Sequence, residues 1–397
     1  MHLLTLNENY LTKKGALHTA KEISGQPELW NNTAALFYSA TDAIEKFLNS
    51  AYAEANNIIL TGAGTSAFVG LSLHGAFFRN TKIITRPIAT TDIVSHPQDY
   101  FNDNQTSLVI SFARSGNSPE SCAVLELADK FSKKCFHFII TCDKDGALAQ
   151  YQSNNPSYIF VLPDAANDKS LAMTGSYSSM LLTGLLIAYL NDKEKCKQQV
   201  DFISKAAQKI FDCYLPLLQQ VAEKDFKRAM FLGSGALYGT ATEAALKLQE
   251  LTDGKVICKT DSYLGLRHGP KAVIDEDTLV IYFFSNDEYA NRYEQDLVNA
   301  MKDGNDAMFC LGISESAASI ANTDAQISFG VDAQKIMEDF LPVCSVLVGQ
   351  LLGFYKSLQL GLMPDAPSVN GAISRVVQGV NIYPVEERKS MMNNLRN

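Results

Sequence analysis

The chain reads as an α/β protein: two tandem, doubly wound parallel-sheet domains behind an N-terminal helical extension. Three observations predict this. Short apolar runs without polar alternation recur between helical stretches, as expected of strands covered on both faces. A strand-Gly-x-Gly-helix opening occurs twice, at Gly62-Ala63-Gly64 and Gly233-Ser234-Gly235, roughly 170 residues apart, a whole-domain spacing. The 397 residues, 46% hydrophobic and 19% charged, suffice for two to three domains with large cores.

The elements follow in order. Residues 1–45 form the extension, with apolar positions at mixed three- and four-residue steps over 29–48 (Trp30, Ala34, Phe37, Ile44, Leu48). The first domain, 46–200, alternates strands at 57–61, 82–86, 106–111, 135–141 and 157–162 with helices at 66–78, 122–131 and 176–190, and a short polar helix after 141. A long amphipathic helix at 197–224 connects the halves, with the boundary near 195–225. The second domain, 201–380, has strands at 228–232, 256–259, 278–284, 307–311 and 325–329 and helices at 239–251 and 288–301. Residues 381–397 are a C-terminal tail. The apolar run 340–363 approaches membrane-span length, but Pro342, Gln350, Lys356 and Gln359 interrupt it. A buried helix packed against a sheet explains it better.

Composition excludes several classes. The net charge of −9 (34 basic against 43 acidic residues) argues against a general nucleic-acid binder. Eight scattered cysteines include no C-x-x-C pair and no nearby histidine cluster. That suggests free thiols in the cytoplasm, with no metal site. The polar N-terminus carries no secretory h-region.

The run Ser111-Phe112-Ala113-Arg114-Ser115-Gly116-Asn117-Ser118-Pro119-Glu120-Ser121 is the most informative stretch. It joins a buried strand to a helix. Ser118 suits the N-cap, Pro119 the first helical position and Glu120 the first turn. Hydroxyls, a guanidinium and free N–H groups at a helix N-terminus make an anion cradle suited to phosphate. Gly62-Ala63-Gly64-Thr65-Ser66-Ala67 fits the dinucleotide fingerprint, but no acidic residue closes the following strand, which ends in Arg86-Pro87. A tight turn presenting Thr65 and Ser66 is the better reading, and both loops then face one ligand at the switch point. A third hydroxyl-rich stretch, 171–179, either caps its helix through Thr174 or Ser176 or adds a wall to the same pocket. Asp168 and Lys169 before it read as solvated loop charges.

In the second half, Glu243, Lys247 and Glu250 share one helical face. A surface ion-pair stripe is the ordinary reading of such a face. It precedes Leu266-Arg267-His268-Gly269-Pro270, a Gly/Pro-punctuated loop whose histidine, with Glu250, would suit proton movement between carbon and oxygen. Arg375, in a proline-bounded tail, either packs over the domain or closes on a phosphate or carboxylate.

Together these motifs resemble the SIS (sugar isomerase) family, with its two flavodoxin-like domains in tandem. Gly62-Ala63-Gly64-Thr65-Ser66, Ser115-Gly116-Asn117-Ser118 and Glu243…Lys247…Glu250…His268-Gly269-Pro270 carry the resemblance over roughly 45–380. The chain is similar to the isomerase half of glutamine–fructose-6-phosphate aminotransferase. It is closer to the AgaS branch of tagatose-6-phosphate ketose/aldose isomerases and galactosamine-6-phosphate deaminases, through the run from Ala113 to Ser121 and the tail Asn370…Arg375-Val376-Val377-Gln378-Gly379.

The resemblance implies an enzyme of amino-sugar catabolism. It would convert galactosamine 6-phosphate to tagatose 6-phosphate and ammonium without a cofactor. A ketose/aldose isomerase or a noncatalytic sugar-phosphate sensor remains an alternative. Ser66, Arg114, Ser115 and Ser118 would hold the phosphate, Glu250 would move the C2 proton, and Lys247 would steady it. His268 would assist ring opening, commonly in the neighbouring subunit's site, as expected of a homodimer. Thr65, Thr174 and Arg375 are further candidates for substrate contact. The aminotransferase relatives carry a catalytic tail lysine where this chain offers Ile373-Ser374-Arg375, which disfavours a lysine-imine route. No nucleic acid or membrane partner is expected.

Overall fold

In the computed structural model, which describes residues 2–301, 306–319, 322–331, 334–377 and 379–384, two five-stranded parallel sheets repeat one plan. The first runs Ile84–Pro87, Asn57–Thr61, Thr106–Ala113, Lys134–Thr141, Ser157–Val161 across its width. The second runs Ile257–Asp261, Arg228–Leu232, Thr278–Phe283, Phe309–Ser314, Ala325–Ser328. Both have the order 2-1-3-4-5 of a doubly wound sheet. The central strands are apolar and buried on both faces, because helices cover each side. An antiparallel hairpin, His2–Leu3 with Leu6–Asn7, and the helices Glu8–Lys13, Leu17–Ser24, Gln26–Ser39 and Thr41–Glu54 make up the N-terminal part.

The glycine turns repeat with the sheets. Gly64 (φ +55°) and Gly235 (φ +56°) hold the same left-handed conformation before a helix. A Cβ on Gly62 would come within 2.6 Å of the Ser66 backbone, so the turn closes only around a residue without a side chain.

The two domains join through a stack of three helices: Thr65–Thr81, Ala236–Leu251 and Leu341–Gln359. Gly239 sets the first contact. A Cβ there would lie 2.8 Å from the Ser72 backbone nitrogen, and the Ser72 hydroxyl donates to the Ala236 carbonyl at 2.8 Å. This approach lays one flank of Ala236–Leu251 against the start of Thr65–Thr81. The apolar window of 338–359 is 94% buried. It packs on helices rather than on a sheet, because the two sheets' own helices fill the space between them.

Three local expectations differ from the structure. The long connector is two helices, Lys193–Cys213 and Leu215–Glu223, because Pro216 sits in the first turn of the second and lacks the N–H to continue the first. No helix follows Thr141: 142–156 is turns that lead into the edge strand. Helix Gly175–Ala188 is capped by neither Thr174 nor Ser176; Asp168 does this, as described below. Residues 385–397 of the expected tail and Gln378 lie outside the described residues.

Candidate active site

The switch point of the first sheet lies between Asn57–Thr61 and Thr106–Ala113. The loops leaving the carboxyl ends of these strands, 62–66 and 114–118, converge on a cavity of about 540 Å³. Neither helix that opens from them, Thr65–Thr81 or Pro119–Phe131, has a side-chain cap. Both present the positive end of a helix to the cavity. Ser118 stands at the N-cap position, but its hydroxyl makes no cap bond. Ser66, Ser115 and Ser118 all line the cavity, with Ser121 beside them. Ser121 was not singled out in the sequence. Its signal was the three-residue step from Ser118, which puts both on one helical face.

The opposite wall comes from the second domain. Helix Ala236–Leu251 contributes Leu246, Lys247 and Glu250. Lys247 Nζ donates to Glu250 Oε2 at 2.5 Å and to Thr65 Oγ1 at 3.0 Å, and lies 3.4 Å from Glu243 Oε1. Thr65 Oγ1 in turn donates to Glu243 Oε1 at 3.4 Å. The stripe is therefore no surface feature: the Glu243 and Lys247 side chains are 0% and 1% exposed, and Glu250 opens to the cavity at 22%. Burial, reinforced by the Glu250 charge, pushes the Glu243 carboxyl up to about 8 despite the nearby ammonium. Burial alone would lower Lys247, but the two glutamates hold it raised. The cluster thus sets the Lys247–Glu250 ion pair beside a Glu243 carboxyl that holds its proton more tightly than an exposed one. Glu243 is the second residue whose role the sequence left open, since burial alone distinguishes it from an exposed glutamate.

The roof is the segment 371–377 of the C-terminal region. Arg375 lies in it. Its Nε donates to the Asp168 carbonyl at 2.9 Å and its Nη2 to Asn167 Oδ1 at 2.6 Å. Arg114, 6% exposed, donates to the carbonyls of Ser170, Leu171 and Arg375 at 3.3, 3.0 and 2.5 Å. Burial lowers the Arg114 pKa and Asp168 opposes the shift; a guanidinium stays charged regardless.

Asp168 corrects the sequence reading. It is 1% exposed, not a solvated charge. Its carboxylate accepts the N–H groups of Thr174, Gly175 and Ser176 at 2.8–3.1 Å and the hydroxyls of Thr174 and Ser176. It caps the apolar helix from six to eight residues away. Thr174 is therefore turned into this buried cluster and away from the cavity, whose third wall is Leu171 and Met173. His268 is also outside the cavity: it lies on an exposed loop after Leu266, beyond the strand Ile257–Asp261.

So the structure brings together Thr65, Ser66, Arg114, Ser115, Ser118, Lys247, Glu250 and Arg375 within one chain, and leaves Thr174 and His268 apart. Among the described residues one group of metal-ligand type, Asp129, Cys135 and His137, sits away from the cavity. Asp129 is its hydrogen-bonding centre. Asp129 accepts from His137, Tyr151, Ser153 and Asn155. Against the upward pull of burial, these bonds, His137's first, hold its carboxyl down at about 2. Burial pushes the Cys135 thiol up to about 12, and it donates to the Ala128 carbonyl.

Comparison with known proteins gives the same architecture. The SIS domain matches residues 51–190 and again 224–355. A D-galactosamine-6-phosphate deaminase AgaS from Shewanella sp. (strain ANA-3) is 39% identical over 96% of this chain and 95% of that one. A crystal structure from Clostridium novyi NT is 40% identical with a TM-score of 0.93, covering 97% of this chain and 99% of that one. The tagatose-6-phosphate ketose/aldose isomerase of Escherichia coli is 34% identical with a TM-score of 0.83, covering 92% of this chain and 96% of that one. With two tandem matches across more than half its length and full-length relatives of this identity, the chain belongs to the SIS family, alongside the AgaS proteins.

Proposed function

We infer that the chain is an aldose–ketose isomerase and deaminase of hexosamine 6-phosphates, with galactosamine 6-phosphate as substrate and tagatose 6-phosphate and ammonium as products. One observation carries the reading: a single cavity has a serine-lined, doubly helix-ended anion cradle on one wall and the Lys247–Glu250 pair on the other. The full-length likeness to a D-galactosamine-6-phosphate deaminase supports the substrate.

In this reading Ser66, Ser115, Ser118 and Arg114 hold the phosphate dianion, which orients the distant reacting carbons. Thr65 and Arg375 border the sugar. His268 acts from the neighbouring subunit of a homodimer, which suits its exposed position outside its own chain's cavity. It shuttles a proton between the ring oxygen and O1 to open the ring. Glu250 then removes the C2 proton and returns a proton to C1. The C2–H electron pair forms the C1–C2 double bond of an enolamine as O1 takes a proton from solvent, and reprotonation at C1 leaves a 2-iminium group. Water adds at C2 and ammonium departs. Lys247 holds the Glu250 carboxylate in position through its 2.5 Å bond to Oε2. The eight free cysteines suit work in the cytoplasm, where thiols stay reduced.

An assay of ammonia release across galactosamine, glucosamine and N-acetylated 6-phosphates tests the reading. Galactosamine 6-phosphate should release ammonium and the N-acetyl sugars should not, since an amide nitrogen cannot leave this way. The likeness to a tagatose-6-phosphate ketose/aldose isomerase favours a second reading, the same proton transfer on neutral sugar phosphates. Isomerisation without ammonium in that assay would select it.

A further inference from the structure

The segment 167–171 has its two sides held by opposite charges. On its N–H side stands the Glu22 carboxylate, while the segment's own Asp168 carboxylate turns to residues 174–176. Glu22, from helix Leu17–Ser24, accepts the N–H of Lys169 at 2.6 Å and of Ser170 at 3.2 Å, and the Ser170 hydroxyl donates to its other oxygen. Asp168 points to the start of Gly175–Ala188. On the carbonyl side stand two guanidinium groups: Arg375 takes the Asp168 carbonyl, and Arg114 takes those of Ser170 and Leu171. Among the described residues neither arginine bonds to a carboxylate; all their acceptors are neutral oxygens. The peptide segment is a spacer that keeps the acids from neutralising the cations at the cavity wall. A carboxylate paired directly to either arginine would cancel much of the positive field a phosphate needs.

We propose that Glu22, in the N-terminal extension and outside the cavity lining, is a positioning residue for the site: it fixes the backbone of 167–171 so that its carbonyls seat Arg375 and Arg114 at the cavity wall. The side-chain hydrogen bonds of Glu22 go to no lining residue. They reach the peptide groups of Lys169 and Ser170 and the Ser170 hydroxyl, beside the carbonyls that are the arginines' acceptors. The same extension holds the roof a second way. Asp365 accepts the N–H groups of His18 and Thr19 at 3.2 and 2.8 Å, and its own N–H donates to the Gly15 carbonyl at 2.8 Å. The extension thus does more than cover the first domain: it holds the start of the strap at Asp365 and reaches Arg375 through 167–171.

Two readouts on the full chain test this, in Glu22→Ala and the milder Glu22→Gln. The first is the initial rate of tryptic cleavage after Arg375, resolved by mass. It should rise roughly tenfold in Glu22→Ala, about what losing charge-assisted bonds to two peptide groups implies, and less in Glu22→Gln, whose amide oxygen still accepts. The second is kinetic and rests on the functional reading above. KM for galactosamine 6-phosphate should rise roughly tenfold with kcat within about twofold, and in an Arg375→Ala background Glu22→Ala should raise it further by clearly less, only through Arg114. Equal KM effects in both backgrounds, or an unchanged cleavage rate in Glu22→Ala, would overturn the assignment. Absence of turnover in the parent protein would count against the functional reading alone, and the cleavage ratio would still decide the role of Glu22.

Discussion

Replacing Asp168 by alanine should be among the most damaging single changes in this chain, although the residue sits in a loop and touches no proposed reacting atom. Its carboxylate is 1% exposed and accepts three backbone N–H groups, those of Thr174, Gly175 and Ser176, plus two hydroxyls. The hydroxyls can rotate to other acceptors, but the N–H groups cannot. Helix Gly175–Ala188 is buried along its whole length, so water cannot readily replace the lost acceptor. Three orphaned buried donors at about 1–2 kcal/mol each, with the lost charge at the helix N-terminus, give a destabilisation of about 3–7 kcal/mol. Asp168→Asn keeps one carbonyl oxygen but turns an NH2 toward the remaining donors, and should cost about 1–2 kcal/mol. Equilibrium urea unfolding, followed by far-UV circular dichroism, measures both. A loss below about 1 kcal/mol in Asp168→Ala would mean that the helix start finds other acceptors, and the account of this loop as a structural hub would be wrong.

Glu250→Gln should bind galactosamine 6-phosphate with a Kd within a few-fold of the parent and lose roughly 10²–10⁴ in turnover, read by calorimetry beside the ammonia assay; near-normal turnover would remove Glu250 as the base. Gly239→Ala places a methyl 2.8 Å from the Ser72 backbone nitrogen, so the helix crossing must open. It should cost about 1–3 kcal/mol and lower kcat as Lys247 shifts from Thr65, and an unchanged midpoint and kcat would show that the crossing has slack. Burial pushes the Glu294 carboxyl up to about 8 from its ordinary 4.5. The native state therefore keeps a proton that the unfolded chain releases, and stability should fall as pH rises across that window, by about 3–5 kcal/mol from this residue. Glu294→Gln should remove that part of the slope; parallel pH–stability curves for parent and variant would refute it.

Much of the fold was legible because its signals are local. The strands Asn57–Thr61 and Arg228–Leu232 and the helix Glu288–Met301 stand where apolar runs and helical periodicity put them. The doubled glycine turn announced the duplication, since a left-handed residue between a strand and a helix needs only its immediate neighbours. Likewise Ser115, Ser118 and Ser121 of the hydroxyl run stand where the sequence put them, at a helix start, and line the cavity. What one chain's sequence could not reveal was the surroundings of each charge. Glu243, Lys247 and Glu250 have the spacing of an exposed ion-pair stripe, and only the packing of Thr65–Thr81 and Leu341–Gln359 against that helix buries it. Asp168 looked like a loop charge because its acceptor role depends on a turn that brings residues six to eight positions away back onto it. Periodicity and glycine turns are settled within a few residues along the chain, so sequence determines them. Burial and partnership are settled by whichever element arrives from elsewhere, here Glu22 and Arg375 from opposite ends of the chain, and those only the tertiary structure decided.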